Sequence, residues 1–362
     1  MTQVPSFLNK FNFILYLKIY SLSTAMPSTD ADIIALLNNA SAQINRYFAI
    51  FIFLFGVIGN TFNILVLAQK PLRSNPCTWL FLMSSIAFLV STLAGTISRF
   101  LSTWGADLTN TNQFLCKLRI FLVFGSMTAG FWLIMLATVD RWLSSSINTN
   151  RRRLSTLKRA QRGAILVLIL SSLLQIQQLF CFEANLTNTP LKCYTKTVMC
   201  GIISDLCFAL ITIACPLFLM LIFGLMIISN LRQSRARLQP TSVTVDSCVM
   251  QNITMTGSDS QSQQKRMDRH LLIMLFVQVI VLLIFTMPMA VSKLYTTITR
   301  SNVKSALQNT IESFVFNLFL LFLYIASGMP FYIYTLTGGQ VFRRTLLNLL
   351  EAFIRKLMCQ RN

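Results

Sequence analysis

Residues Leu206–Leu231 read LCFALITIACPLFLMLIFGLMIISNL, 26 residues without an Asp, Glu, Lys, Arg or His. A helix rises about 1.5 Å per residue, so roughly 20 such residues cross the ~30 Å hydrocarbon layer of a bilayer. A membrane-barrel strand would need only about 10 residues of alternating polarity. Charge-free runs of at least 20 residues recur at Tyr47–Gln69, Cys77–Ser98, Ile120–Val139, Gly163–Phe182, Leu271–Ser292 and Ser313–Thr337, making seven in all. Seven spans predict an all-α membrane protein, a seven-transmembrane helix bundle with its two termini on opposite sides.

Composition agrees. Of the 362 residues, 54% are hydrophobic and 12% charged, about half the charged share of soluble domains. Neither a soluble core nor a disordered chain has that balance. Nine cysteines are too few for a disulfide scaffold, and a single histidine, His270, argues against zinc. The spans hold no nucleophile or metal constellation, no internal charge and no repeat, so neither an enzyme nor a transporter is expected, and no cofactor.

The net charge is +20, from 31 basic and 11 acidic residues. If the N-terminus lies outside, the inner segments carry 20 of the basic residues, including Arg151-Arg152-Arg153, and the outer ones 11. That asymmetry predicts an N-terminus outside and a C-terminus inside, in the plasma membrane. The excess is then a topology signal plus attraction to anionic membrane lipid, and nucleic acid is not an expected partner.

Three regions follow: an extracellular segment 1–46, a seven-span domain 47–337, and a cytoplasmic segment 338–362. Phe11–Leu22 is apolar but broken by Lys18, without a clean cleavage site, so it is not a good signal peptide. Translation from Met26 is one expectation, and a short membrane-associated helix the other. The inner loop Arg232–Arg269 is polar and rich in Ser, Gln and Thr. In the last segment Leu346, Leu349, Leu350, Phe353 and Leu357 share one helical face, opposite Arg344, Asn348, Glu351 and Arg355. This is an amphipathic helix for the inner membrane face, with Cys359 as a palmitoylation candidate or a free thiol.

Several short motifs fall at fixed places on the spans. Gly59-Asn60-x-x-Asn63 puts two amides inside the first, where each needs a neighbouring helix. Asp140-Arg141-Trp142 ends the third, with Cys116 25 residues before Arg141. Pro216 and Pro288 interrupt the fifth and sixth, and Met329-Pro330-x-x-x-Tyr334 lies in the seventh, followed by Phe342-Arg343-Arg344. In order and spacing this set resembles the rhodopsin-like (class A) G-protein-coupled receptors over roughly Tyr47–Met358. Arg73-Ser74-Asn75-Pro76-Cys77 and the run from Pro330 to Gly338 are similar in texture to invertebrate FMRFamide-type and other neuropeptide-receptor-like proteins.

The resemblance implies a receptor that passes an extracellular signal, from a peptide or a small molecule, to a heterotrimeric G protein. It makes Asp140, Arg141, Trp142, Pro288, Pro330 and Tyr334 the switch residues. It also points to Asp268, 20 residues before Pro288, as a partner that clamps Arg141 to the sixth helix; local pairing with Lys265 or Arg269 is the alternative. Pro288 would kink that helix and make it a lever. Cys116 would bridge to the second outer loop, to Cys193 by preference or to Cys200, with Cys181, Cys207 and Cys215 as ordinary buried thiols. Asn39 and Asn185 begin glycosylation sequons in outer segments, whereas Asn252 begins one inside.

Four departures from the family pattern stand out. Phe88 replaces the second-helix Asp of the internal sodium site, and Thr286 replaces the sixth-helix Trp. Met329 stands for the Asn of N-P-x-x-Y, and Ile333 for its Tyr, with Tyr332 and Tyr334 on either side. A non-signalling seven-helix protein is therefore a competing reading. Val123 occupies the position of the amine-binding Asp, and Ser313–Thr337 contains no Lys for retinal, so neither ligand is expected. Of the outer charges Arg99, Lys117, Arg119, Asp205, Lys293 and Glu312, those at span ends, Arg99, Asp205 and Lys293, are the candidate ligand contacts. A peptide is the favoured ligand and a small chemosensory molecule the alternative.

Overall fold

The computed structural model describes residues 29–103, 107–186, 192–237, 258–300, 302–337 and 339–359. At 258–270 and at several other helical positions, among them Arg99 and Cys359, the description stops at the backbone. The Met26 start, the Phe11–Leu22 segment and most of the polar inner loop lie outside the described residues.

Seven helices are long and apolar enough to cross a membrane. They are α1 (Asp30–Leu67), α2 (Pro76–Thr103), α3 (Gln113–Ser145), α4 (Leu157–Gln175), α5 (Val198–Gln233), α6 (Ser258–Ile298) and α7 (Ala306–Gly328). After Met329, α7 runs on as Pro330–Thr337, and α8 (Gly339–Cys359) follows. The helices begin where short polar side chains take the first free backbone N–H groups, each such cap worth about 1 kcal/mol. Asn75 Oδ1 accepts from Cys77 N, Asn112 Oδ1 from Leu115 N, Thr197 Oγ1 from Cys200 N and Ser305 Oγ from Gln308 N, at 3.0–3.2 Å. Two helices widen into π turns, α1 over Ile44–Phe48 and α5 over Cys207–Ala214.

Several helices bury one face and leave another apolar and exposed, α4 and α6 most plainly. Ile165, Leu166, Ile169 and Leu173 on α4 and Ile280, Ile284 and Val291 on α6 are exposed. Facing lipid, such stripes need no cover, so helix association rests on close packing and buried polar pairs. Asn60 Nδ2 donates to Gly56 O at 2.9 Å and to Ser327 O on α7 at 3.1 Å. Asn63 Nδ2 donates to Ser85 Oγ on α2 at 2.6 Å. The buried Gln175 on α4 donates to Thr128 Oγ1 on α3 at 3.0 Å and to Thr212 Oγ1 on α5 at 3.3 Å. Trp132 Nε1 donates to Ile211 O within the π turn of α5 at 3.0 Å. Phe81, Phe88, Met127, Phe131, Leu133 and Tyr334 fill the space between these pairs.

Candidate functional site

At the Cys116 end, the chain between α4 and α5 forms a hairpin, β1 (Phe182–Glu183) antiparallel to β2 (Tyr194–Thr195). Two disulfides hold it. Cys116 on α3 bonds Cys193, and Cys181 bonds Cys200 at the start of α5. The second bond corrects the reading of Cys181 as an ordinary buried thiol. Cys181 sits at the mouth of its charge-free run, where the chain leaves the bundle, and α5 begins early enough to bring Cys200 beside it. Cys77, Cys207 and Cys215 are not in disulfides, but only Cys77 of the three is buried: Cys207 is half-buried and Cys215 exposed, which corrects the reading of those two as buried thiols.

Beneath the hairpin lies a cavity of about 370 Å³. Val123, Phe124, Met127, Phe208 and Phe316 supply apolar walls, and Arg46, Asp107, Arg119 and Lys293 supply charge. Val123 thus faces the cavity from the position where an amine receptor would hold its Asp. Asp205 and Lys293, read separately as ligand contacts, are brought together: Lys293 Nζ lies 2.7 Å from Asp205 Oδ1. Arg300 takes the other carboxylate oxygen at 3.2 Å and also donates to Val198 O at 2.8 Å. A Cβ on Gly201 would come within 1.7 Å of the Arg300 guanidinium, so glycine there makes room for this contact. Lys293 also stands over the Phe316 ring on α7, 4.9 Å from its centre. The cluster joins the ends of α5, α6 and α7. The Arg99 side chain lies outside the described residues.

Arg46 and Arg300 were not singled out from the sequence. Arg46 falls just before the first charge-free run, and Arg300 just beyond the sixth helix, so neither looks part of a span. Glu312 is not among the residues that line this cavity and accepts from Lys304 Nζ at 2.6 Å. Asn39 and Asn185 are exposed at this same end. Asn185 takes a left-handed backbone, φ 61°, which asparagine tolerates better than most residues. Asn252 lies outside the described residues.

At the opposite end, Arg141 and Asp140 are both buried. Arg141 Nη2 lies 3.0 Å from Asp140 Oδ2 and 3.1 Å from Asn75 Oδ1, the cap of α2. Asp140 Oδ1 accepts from Ser155 Oγ, ahead of α4, at 2.6 Å. The motif is therefore a polar knot joining α3 to the starts of α2 and α4. Asn75 and Ser155 were missed as members; the Asn-Pro cap signal at Asn75-Pro76 was the clue to the first. Trp142 packs on Phe223 of α5, ring centres 5.3 Å apart, and the Arg151 guanidinium lies over the Trp142 ring, 5.5 Å from its centre. Asp268 lies on α6, but its side chain is outside the described residues, as is that of Cys359.

The departures acquire physical content. Phe88 is buried edge-on to Phe131, and a Cβ on Gly130 would meet its ring at 2.5 Å. An aromatic ring fills this place, so the residues present do not fit a sodium ion. Thr286 is buried and donates to Leu282 O at 2.6 Å, two residues before Pro288 inside α6. Met329 marks the break in α7. Ile333 is buried against the core, and the neighbouring tyrosines divide the polar work. Tyr332 Oη donates to Phe55 O on α1 at 3.1 Å, and the fully buried Tyr334 Oη donates to Gln278 Oε1 on α6. Arg343 donates to the carbonyls of Thr335 and Leu336 at 2.9 and 2.8 Å, closing the corner between α7 and α8.

Among curated proteins, none matches the chain. The family model for the seven-transmembrane receptors of the rhodopsin family does match, over residues 59–334. That interval runs from Gly59, in the last third of α1, to Tyr334 after α7, and so includes the other six spans whole. Seven apolar helices and a disulfide from α3 to the hairpin agree with that family's fold. The chain belongs to the rhodopsin family of seven-transmembrane, G-protein-coupled receptors, and is a multi-pass membrane receptor rather than an enzyme.

Proposed function

We propose that this receptor takes a peptide in the cavity at the Cys116 end, outside the cell, and passes the signal to a heterotrimeric G protein at the Arg141 end. The observation that carries the reading is the cavity itself: about 370 Å³, apolar-walled and charge-rimmed, under a hairpin held by two disulfides. Cavities of this kind suit ligands that bury apolar groups and fix themselves by a few polar contacts. The neuropeptide-receptor texture of Asn75-Pro76-Cys77 and of the run after Pro330 favours a peptide over a small chemosensory molecule. The basic-residue asymmetry supports an N-terminus outside. Residues 1–46 would then be extracellular and 338–362 cytoplasmic, with Cys359 available for an acyl chain at the inner leaflet.

In this reading α6 moves outward about Pro288, and a G-protein helix docks in the groove that opens beside Arg141. Asp268 restrains the resting form by pairing with Arg141, and Tyr334 with Gln278 adds a second tie between α7 and α6. Nucleotide exchange on a panel of G proteins, with the receptor in lipid nanodiscs and a peptide library, tests it. Asp268→Ala should raise the basal rate, about tenfold if the pair is worth ~1.4 kcal/mol. Arg141→Ala should suppress exchange. An unchanged basal rate in Asp268→Ala would remove the clamp. No exchange under any condition, from a protein at the cell surface, would favour the non-signalling reading. Glycosidase should shift the mobility of the native protein and leave an Asn39/Asn185 double variant unmoved; a glycan on Asn252 would reverse the topology.

A further inference from the structure

The charges around the cavity do not balance. Arg46, Arg119 and Lys293 line it against one lining carboxylate, Asp107. Asp205, just behind the wall, is shared by Lys293 and Arg300. Among the described residues of the cavity wall and the cluster behind it, four cations face two carboxylates, which leaves two positive charges in excess at a partly desolvated site.

Arg119 is the least satisfied of the cations. Its side chain is 14% exposed, and its charge partner Asp107 stands 3.6 Å away, beyond hydrogen-bond length. Asp107 is shared: its Oδ1 accepts from Thr109 N at 3.0 Å and from Thr109 Oγ1 at 2.7 Å, and only Oδ2 is turned to Arg119. A guanidinium has five donors in a planar fork and pairs best with a planar two-oxygen acceptor. Arg46, exposed at the π turn of α1, adds a second cation on the same cavity.

We infer that the cavity receives the free C-terminal carboxylate of a peptide, bound by Arg119 with support from Arg46, its last side chain lying against Phe124, Phe208 and Phe316. The inference rests on the peptide-receptor reading but departs from the amidated, arginine-containing kind of ligand that the FMRFamide-type texture would suggest, because the cavity's own charges oppose it. An amidated C-terminus brings a neutral group with N–H donors of its own to a site already rich in donors. A cationic ligand meets net repulsion. The apolar wall calls for an aromatic or aliphatic last residue, whose burial adds to the ion pair.

The probe is a library of N-acetylated hexapeptides free of Asp, Glu, Lys, Arg and His, prepared in C-terminal acid and C-terminal amide forms. Affinity selection on the purified full-length receptor in nanodiscs, read by mass spectrometry, ranks the two forms of each sequence. Acids should be retained at least tenfold over their amides, with aromatic or aliphatic last residues enriched. Arg119→Gln should abolish that preference and Arg119→Lys should keep part of it. Arg46→Gln, at an exposed position that does not endanger folding, should reduce it. Amides retained as well as acids, an acid preference unchanged in both glutamine variants, or no retention of either form would overturn the inference. Acids retained selectively without stimulating nucleotide exchange would leave the carboxylate site standing and sink the signalling reading instead.

Discussion

Replacing Asp205 with Asn isolates the energetics of the cluster that joins α5, α6 and α7. The Asp205 side chain is 5% exposed and faces two cations, Lys293 at 2.7 Å and Arg300 at 3.2 Å. At an effective dielectric of about 20, the two pairs attract by roughly 6 and 5 kcal/mol before desolvation is counted. Desolvation cancels most of that, but removing one partner leaves the others buried and uncompensated, which typically costs about 3–5 kcal/mol. Lys293 and Arg300 keep side-chain exposures of 10% and 17%, so some of their charge reaches solvent and the lower end applies, ~3 kcal/mol. In detergent micelles this should lower the unfolding midpoint by several degrees. Tryptophan fluorescence reads the midpoint, since Trp132 and Trp142 are packed between helices in the folded protein. The double variant Asp205→Asn with Lys293→Met should recover part of the loss, because one orphaned cation is gone. A midpoint within a degree of the native protein's, or a double variant no better than the single, would refute the reasoning.

Gly130→Ala should destabilise the receptor by about 1–3 kcal/mol, since its Cβ runs into the Phe88 ring; adding Phe88→Leu should restore the thermal midpoint, and ligand affinity should not respond to exchanging sodium for a larger organic cation. Cys116→Ser and Cys193→Ser should lower surface expression equally, and more than Cys181→Ser or Cys200→Ser. The bonds close 77 and 19 residues, worth about 4.5 and 3 kcal/mol of chain entropy; cell-surface labelling that shows the reverse order would count against this ranking.

The membrane architecture was legible because charge is excluded from hydrocarbon, so seven uncharged runs mark seven spans. Helix ends were not legible by the same rule. α1 starts at Asp30, well before the uncharged run at Tyr47, because a helix continues through polar residues once it has left the bilayer core. The same blindness hid the Cys181–Cys200 bond, since the run beginning at Leu206 placed Cys200 in a loop rather than on the first turn of α5. Motifs at fixed spacing located Arg141 and Cys116. The sequence could nominate Asp205 and Lys293 but not pair them, because 88 residues separate them and the pairing is set by how α5 packs on α6. The Tyr334–Gln278 tie belongs to the same class: the displaced tyrosine was visible, its partner on another helix was not.

The two π turns bear on how this chain tolerates insertion and deletion. Both lie in the cavity wall: Asn45 and Arg46 come from the turn in α1, and Phe208 from the turn in α5. A π turn accommodates a residue more than the regular helix it interrupts. Removing a single residue from the middle of Cys207–Ala214 would let α5 close up as regular helix, with Asp205 still facing Lys293 and Phe223 still facing Trp142. The same deletion two turns further along would rotate everything beyond it by about 100°, turning the lipid face of the helix into the bundle. In these two helices, the segments that shape the cavity are therefore the ones where the length of the chain is freest to change.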